Sequence, residues 1–457
     1  MSMDNAPTHS LARTLARTLA IVALSTAALT GCDPEACEPP VEVIEGQDPQ
    51  PGSGLPADTW AERGRLLAFH HQRSLSRDEI REAQFELPFA DSYADFGIDD
   101  LTSFYTEAEI DEVVRHEVDV YRVVYETIDP WGAPTVASGA VLVPRIEAPP
   151  AEGFALWGLL RGTIFYDADA PSHGDMPDFG IWRGLLPASA GYVTAMPDYL
   201  GFGAARSQLH TYLISEPTAT AAVDMLRASR HLSVELGLPL RDEILLSGQS
   251  QGGHATLATM RTLEAEHADE FELAGVSAAA GAYAVSPLVT ALLNSDALIA
   301  PQVTSLYTLA LVGVYGFDQP LSHYFAAPYD ELVLELHDKT KTNAEVIAGL
   351  PSGNTEELFA EDFLTAFRGE GEQAFKQALA DSDVHIGWNP EAPLRLYHGE
   401  LDATVPVAQS QAVLAGLAGE HTSIALEVID GAGHLQTIIP STLRTIHWFD
   451  SLAPATD

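Results

Sequence analysis

Three observations in the 457-residue sequence predict an α/β fold with a mostly parallel central sheet flanked by helices. Short apolar runs alternate with segments of helical periodicity, the order that lays strands side by side with helices on their faces. The stretch EILLSGQSQGG, residues 243–253, sets a serine between glycines where a strand gives way to a helix. Between residues 284 and 393 the alternation stops, and helical patterns are broken by Pro287, Pro301, Gly313, Gly316, Pro320 and Pro328. A structureless loop of that length does not suit a compact domain, so this stretch is expected to be an inserted helical cap.

Composition allows a large core and excludes some partners. Hydrophobic residues make up 46% of the chain, and the net charge is −42, from 65 acidic and 23 basic residues. The lysines are Lys339, Lys341 and Lys376. Nucleic acid is excluded as a partner, because phosphate binding needs a basic face. The acidic excess is spread through apolar-rich sequence, which argues for a solvated surface rather than disorder. Salt would screen the repulsion among so many carboxylates, so tolerance of salty surroundings is an expectation.

The chain begins with Arg13 and Arg17, then the apolar run LAIVALSTAAL, then Thr30-Gly31-Cys32. A basic start, an apolar stretch too short for a comfortable membrane span and small residues after it describe a signal peptide, residues 1–31. Leu29-Thr30-Gly31-Cys32 resembles the lipobox of bacterial lipoproteins, which implies lipidation of Cys32 and attachment to a membrane. A disulfide between Cys32 and Cys37 is the rival reading. Residues 32–59, rich in Pro, Gly and acid, are expected to be a flexible tether.

The folded part is divided into core residues 60–283, the insertion 284–393 and core residues 394–457. From Trp60 to about Arg115 the patterns are helical in patches. VDVYRVVYETI and TVASGAVLVP then read as strands joined by the turn DPWGAP, and GFALWGLLRG as a third. YVTAMPDY follows as a strand, TATAAVDMLRASRHLSVEL as a helix, and the elbow strand comes next. LAGVSAAAG, LRLYHG and SIALEVIDGAG complete the strands, and no internal repeat is present.

Chemistry is concentrated at Ser250. In a turn this tight the positions two before and two after the serine can hardly carry side chains, and Gly248 and Gly252 occupy them. This is the nucleophile elbow of the α/β-hydrolase fold, which holds a strained serine with its hydroxyl above the sheet. Strain of this kind costs on the order of 1–3 kcal/mol. A serine hydroxyl needs a general base, and the base an orienting carboxylate, in the chain order Ser, Asp or Glu, His. The loop after LRLYHG offers Asp402, and GAGHLQ after the last strand offers His434.

Rivals are weaker. Glu400 lies nearer the strand end, and His398 lies within the strand, as a packed core histidine would. His254 points back along its helix. His421 and His447 lack a glycine-rich loop. One oxyanion-hole donor is expected from the backbone N–H of Gln251, the residue after the nucleophile.

RGTIFYDADAPS, MPDYLGFG, LHTYL, GQSQGG and HGELDATVP together resemble the secretory lipase family of the α/β-hydrolases, over roughly residues 115–440. Members often carry H-G-T, a spacer and C-A-P-S where this chain has Arg161-Gly162-Thr163 and Asp169-Ala170-Pro171-Ser172. The resemblance implies that the backbone N–H of Thr163 is the second oxyanion donor. Tyr199 is read as fixing a turn with Asp198, or as lining the pocket. DADAPSHGD opens like a calcium loop but lacks its sixth-position glycine and twelfth-position glutamate, so no metal is expected, nor any cofactor.

The reading is an exported serine esterase or lipase acting on a small-molecule ester or lipid through Ser250, Asp402 and His434. A serine peptidase on the same fold and a non-catalytic surface binding protein remain the alternatives.

Overall fold

In the computed structural model of the protein, residues 63–86, 101–174, 179–417, 419 and 423–452 are described. The signal peptide, the tether and Cys32 with its expected lipid lie outside them. The described residues form one nine-stranded sheet, β1 Leu66–Leu75, β2 Glu117–Ile128, β3 Pro134–Arg145, β4 Phe154–Leu160, β5 Val193–Pro197, β6 Leu240–Gln249, β7 Glu272–Ala279, β8 Leu394–Gly399 and β9 Ile424–Ile429. The strands are ordered β1-β2-β3-β5-β4-β6-β7-β8-β9. The pairs from β1 to β5 are antiparallel, and β5-β4-β6-β7-β8-β9 run parallel.

Beyond the sheet lie α1 Arg77–Glu86, α2 Glu107–Val113, α3 Phe179–Ser189, α4 Ser215–Glu235 and α5 Gln251–Glu266. Eight helices separate β7 from β8: α6 Val285–Asn294, α7 Pro301–Tyr315, α8 Leu321–Tyr324, α9 Tyr329–Leu336, α10 Asn343–Gly349, α11 Thr355–Leu358, α12 Glu361–Arg368 and α13 Gln373–Asp381. Then come α14 Ala408–Leu417 and α15 Ile438–Leu452.

Alternation along the strands builds two cores. Trp157, Leu159 and Leu245 face one side of the sheet, against Trp182 and Leu185 of α3 and Ile446 and Phe449 of α15. Leu156, Ile244 and Leu246 face the other, against Val223 and Leu226 of α4, Leu257 and Met260 of α5 and Val413 of α14. The helices between β7 and β8 share a third apolar cluster around Leu309, Tyr324, Phe359, Phe363 and Phe375, joined by Phe165 and Tyr212 of the core.

One expectation needs correction. Residues 66–75, read as part of a helical region, form β1, the edge strand paired with β2. LLAFHHQRSL has no β-branched residue and is only partly buried, so neither propensity nor clean alternation marks it. Pairing with β2 makes it a strand.

Candidate active site

The elbow is built by backbone crowding. Ser250 follows β6 and precedes α5 with φ 62° and ψ −123°, a conformation that L residues rarely adopt. Its N–H donates to Ala279 O at 3.0 Å, and its carbonyl accepts from His254 N–H at 3.2 Å. A Cβ on Gly252 would strike the Leu160 carbonyl and lie 2.8 Å from that of Arg161, and one on Gly248 would strike the Gly252 carbonyl. Glycine at both places lets the end of β4 press against the turn, which brings the Gly162–Thr163 loop beside the serine.

The two distant predicted residues converge on Ser250. His434, in the loop after β9, accepts the Ser250 hydroxyl at Nε2, 2.8 Å away, and donates Nδ1–H to Asp402 Oδ2 at 2.7 Å. Asp402 Oδ1 accepts from the N–H groups of Thr404 at 3.0 Å and Val405 at 2.8 Å. Burial alone would raise the Asp402 carboxyl. The charge of His434 and hydrogen bonds from His398, His434 and Val405 outweigh burial and hold it at about 2. Gln249 Nε2 donates to His434 O at 3.1 Å and steadies that loop from the elbow strand.

The rejected residues sit elsewhere. Glu400 accepts from Gly431 N–H at 2.9 Å at the surface. His254 donates Nε2–H to Ser382 O at 2.8 Å, and burial pulls its imidazole down to about 4, so it stays neutral. His447 lies 4.0 Å from Glu112, and His421 falls outside the described residues. His398 is buried, with Nε2 2.7 Å from Val405 O and 3.4 Å from Asp402 Oδ2. A core histidine by its pattern, it also supports the loop that holds Asp402.

Gln251 opens α5, where the first N–H groups of a helix have no partner within it. Thr163 follows β4, and its Oγ1 meets Tyr212 OH at 2.9 Å. Asp198 accepts at Oδ1 from Ser172 N–H at 2.9 Å and at Oδ2 from Ser138. Tyr199 is fully buried with φ 63°, so it shapes the turn rather than lining a pocket. Asp167 of the discounted calcium loop accepts from Gly203 N–H at 2.8 Å and lies 3.2 Å from His173 Nε2. Among the described residues no cluster of His, Cys, Asp or Glu could hold a metal.

Sequence reasoning missed the role of Arg161. Arg161 is 3% exposed, and its guanidinium carbon lies 4.7 and 4.8 Å from the ring centroids of Tyr199 and Phe202. It donates to Asp198 O at 2.6 and 3.1 Å, to Gly162 O at 2.9 Å and to Gln251 Oε1 at 3.4 Å. The signal was the departure from H-G-T, because a longer planar cation at that place needs buried partners of its own.

A cavity of about 390 Å³ opens beside the loop, lined by Ile164, Phe165, Phe202, His210 and, from α7, Leu309 and Ala310. Ser250 and His434 do not line it. It adjoins them through Ile164, which follows Thr163, and through His210, whose Nε2 accepts from Gln251 Nε2 at 3.2 Å.

The sequence model of one family, described as secretory lipase, matches residues 184–452, more than half of the chain. The chain belongs to the secretory lipase family. No curated protein sequence matches it. Among solved structures, a Legionella pneumophila protein superposes with TM-score 0.72 at 23% identity, covering 86% of this chain and 100% of its own. The rice cell wall degrading esterase LipA from Xanthomonas oryzae gives 0.70 at 25% identity, covering 85% and 98%. Candida antarctica lipase A in its closed state gives 0.57 at 15%, covering 88% and 86%, a likeness of fold alone. This secretory lipase has the α/β-hydrolase fold, and it is a carboxylic ester hydrolase.

Proposed function

We propose that this protein is an exported serine esterase that cleaves carboxylic esters through an acyl-enzyme at Ser250. The observation that carries the reading is the continuous hydrogen-bonded line Asp402–His434–Ser250, with links of 2.7 and 2.8 Å, ending on a serine held at φ 62°. Ser250 Oγ attacks the ester carbonyl while His434 Nε2 takes its proton. Asp402 keeps Nδ1–H in place and stabilises the imidazolium. The N–H groups of Gln251 and Thr163 receive the tetrahedral oxyanion. His434 then returns the proton to the leaving alcohol, and water attacks the acyl-enzyme by the same route.

The helices of residues 284–393 act as a cap in this reading, and the cavity beside the Gly162–Thr163 loop takes the acyl chain. Its walls are mostly aliphatic and aromatic, and each buried methylene contributes about 0.8 kcal/mol until the cavity is full. Export fits the family's description as secretory, and a lipid on Cys32 would keep the enzyme at a membrane.

Labelling with a fluorophosphonate, followed by peptide mapping, tests the nucleophile. Modification at Ser250 supports the reading; modification elsewhere, or none, refutes it. A series of p-nitrophenyl esters from acetate to long chains then tests the substrate class. Release of amino acids from peptides without turnover of any ester would move the assignment to a peptidase.

A further inference from the structure

Two arginines are buried against the Gly162–Thr163 loop, and neither forms an ion pair with an acidic side chain among the described residues. Arg161 and Arg183 are 3% and 6% exposed. Arg161 bonds to two backbone carbonyls and the Gln251 amide, while the Asp198 carboxylate is turned toward Ser138 and Ser172. Among the described residues, the Arg183 side chain, on α3, has one hydrogen bond, from Nη1 to Gln249 Oε1 at 3.4 Å, and its Nε is buried without a partner. Its Nη1 lies 3.3 Å from the place a Cβ on Gly162 would occupy. Burial pulls both guanidinium groups down to about 10, which leaves them protonated at neutral pH.

Buried cations without ion-pair partners are unfavourable in a resting protein, and of the two only Arg161 has carboxylates, those of Asp198 and Asp169, close enough to offset it in part. They occur beside the one place where the proposed reaction generates negative charge, in a chain of net charge −42 that has carboxylates in abundance. The geometry gives each a task. Arg161 grips the carbonyl of Gly162, and in a trans peptide the N–H of the next residue points the opposite way. That N–H belongs to Thr163. The grip therefore fixes and polarises the second oxyanion donor. Arg183 holds the oxygen of the Gln249 amide, which leaves its nitrogen to donate to the His434 carbonyl.

We propose that Arg161 and Arg183 are positioning residues that aim the Thr163 peptide and the Gln249 amide, and that their unpaired charge stabilises the tetrahedral oxyanion from behind the loop. The inference rests on the esterase reading of this site. It assigns to both arginines a part in the reaction without contact to substrate.

The test combines kinetics, stability and a tetrahedral mimic in the wild type and in Arg183→Met, Arg183→Lys and Arg161→Lys. Arg183→Met should lower kcat on p-nitrophenyl butyrate by about tenfold or more, with KM changed less than about twofold. Its affinity for a phenylboronic acid, which forms an anionic adduct on the serine, should fall by the same factor as kcat/KM. Its Tm should rise, because an unpaired buried charge has been replaced by an apolar chain of similar size. Arg183→Lys, which keeps the charge, should retain most of the kcat. Arg161→Lys should lose kcat, since an ammonium cannot span the carbonyls of Asp198 and Gly162. A lower Tm with unchanged kcat and boronate affinity in Arg183→Met would make that arginine structural and overturn the proposal. If that variant does not fold, wild-type boronate affinity in Arg161→Lys overturns it instead. Boronate binding reads the charge without substrate turnover, so failure of the esterase reading and failure of this one are separable.

Discussion

His398 Nε2 lies 3.4 Å from Asp402 Oδ2, the oxygen that accepts from His434. The same imidazole nitrogen donates to Val405 O at 2.7 Å, while Nδ1 accepts from Ser410 Oγ at 2.7 Å. His398 thus ties the end of β8 to α14 and to the turn that presents Asp402. His398→Phe would leave the Val405 carbonyl buried and unpaired, which costs about 1–3 kcal/mol. We expect a lower urea midpoint and a lower kcat from a loosened Asp402, with fluorophosphonate labelling slowed but still at Ser250.

Asp402 links the proposed activity to acid stability. Its folded value, about 2, lies below the ordinary 3.8. The carboxylate therefore adds stability that is fully present above the ordinary value and is lost as pH falls through the folded one. The difference amounts to about 2 kcal/mol. Asp402→Asn should flatten that acid limb in denaturation experiments and lower kcat by roughly 10⁴-fold. Full activity in Asp402→Asn with none in Glu400→Gln would reverse the assignment of the acid.

Strain at the elbow separates function from stability. Ser250→Ala and His434→Ala should each lower kcat by several orders of magnitude with the fold intact. Ser250→Gly should be equally inactive yet more stable, by about 1 kcal/mol, because glycine tolerates the positive φ. Gly252→Ala should be inactive and destabilised, since its Cβ would collide with the Leu160 carbonyl. Denaturant titrations beside kinetic assays check all four.

Ala310 lies on α7 and lines the cavity beside the loop. Filling the space with Ala310→Phe should shorten the preferred acyl chain while leaving the rate on acetate nearly unchanged. Rates on a p-nitrophenyl ester series measure this. An unchanged chain-length profile would place the acyl chain elsewhere.

Cys32 should carry lipid when the chain is made in a bacterial host with lipoprotein processing. Cys32→Ser should then release the enzyme from membranes. A mass spectrum of the mature N-terminus decides between lipid and a Cys32–Cys37 disulfide.

What could be read from the sequence follows from how local its causes are. The elbow was legible because its glycines, strand and helix lie within a few residues of Ser250. Asp402 and His434 could be picked out as candidates because each lies in the loop just after a recognisable strand, and the fold's chain order says where to look. Strand β1 was not legible, since its identity comes from pairing with β2 across the residues between them. The place of Arg161 beside Tyr199 and Phe202 depends on side chains about forty positions away in the sequence, and spacing gives no sign of such a contact. His398 had the pattern of a core residue, and its nearness to Asp402 arises only when the loop after β8 turns back.

Tyr212 belongs by its ring to the apolar cluster of the inserted helices, while its hydroxyl meets Thr163 beside the elbow. Phe165 also comes from the core, whereas Tyr324, Phe359, Phe363 and Phe375 of the same cluster come from the insertion. In the proposed reading, this arrangement would let substitutions among those rings change which molecules are admitted without touching Ser250, Asp402 or His434. Tyr212 is where such drift would meet resistance, because a change there is felt by diet and by chemistry at once.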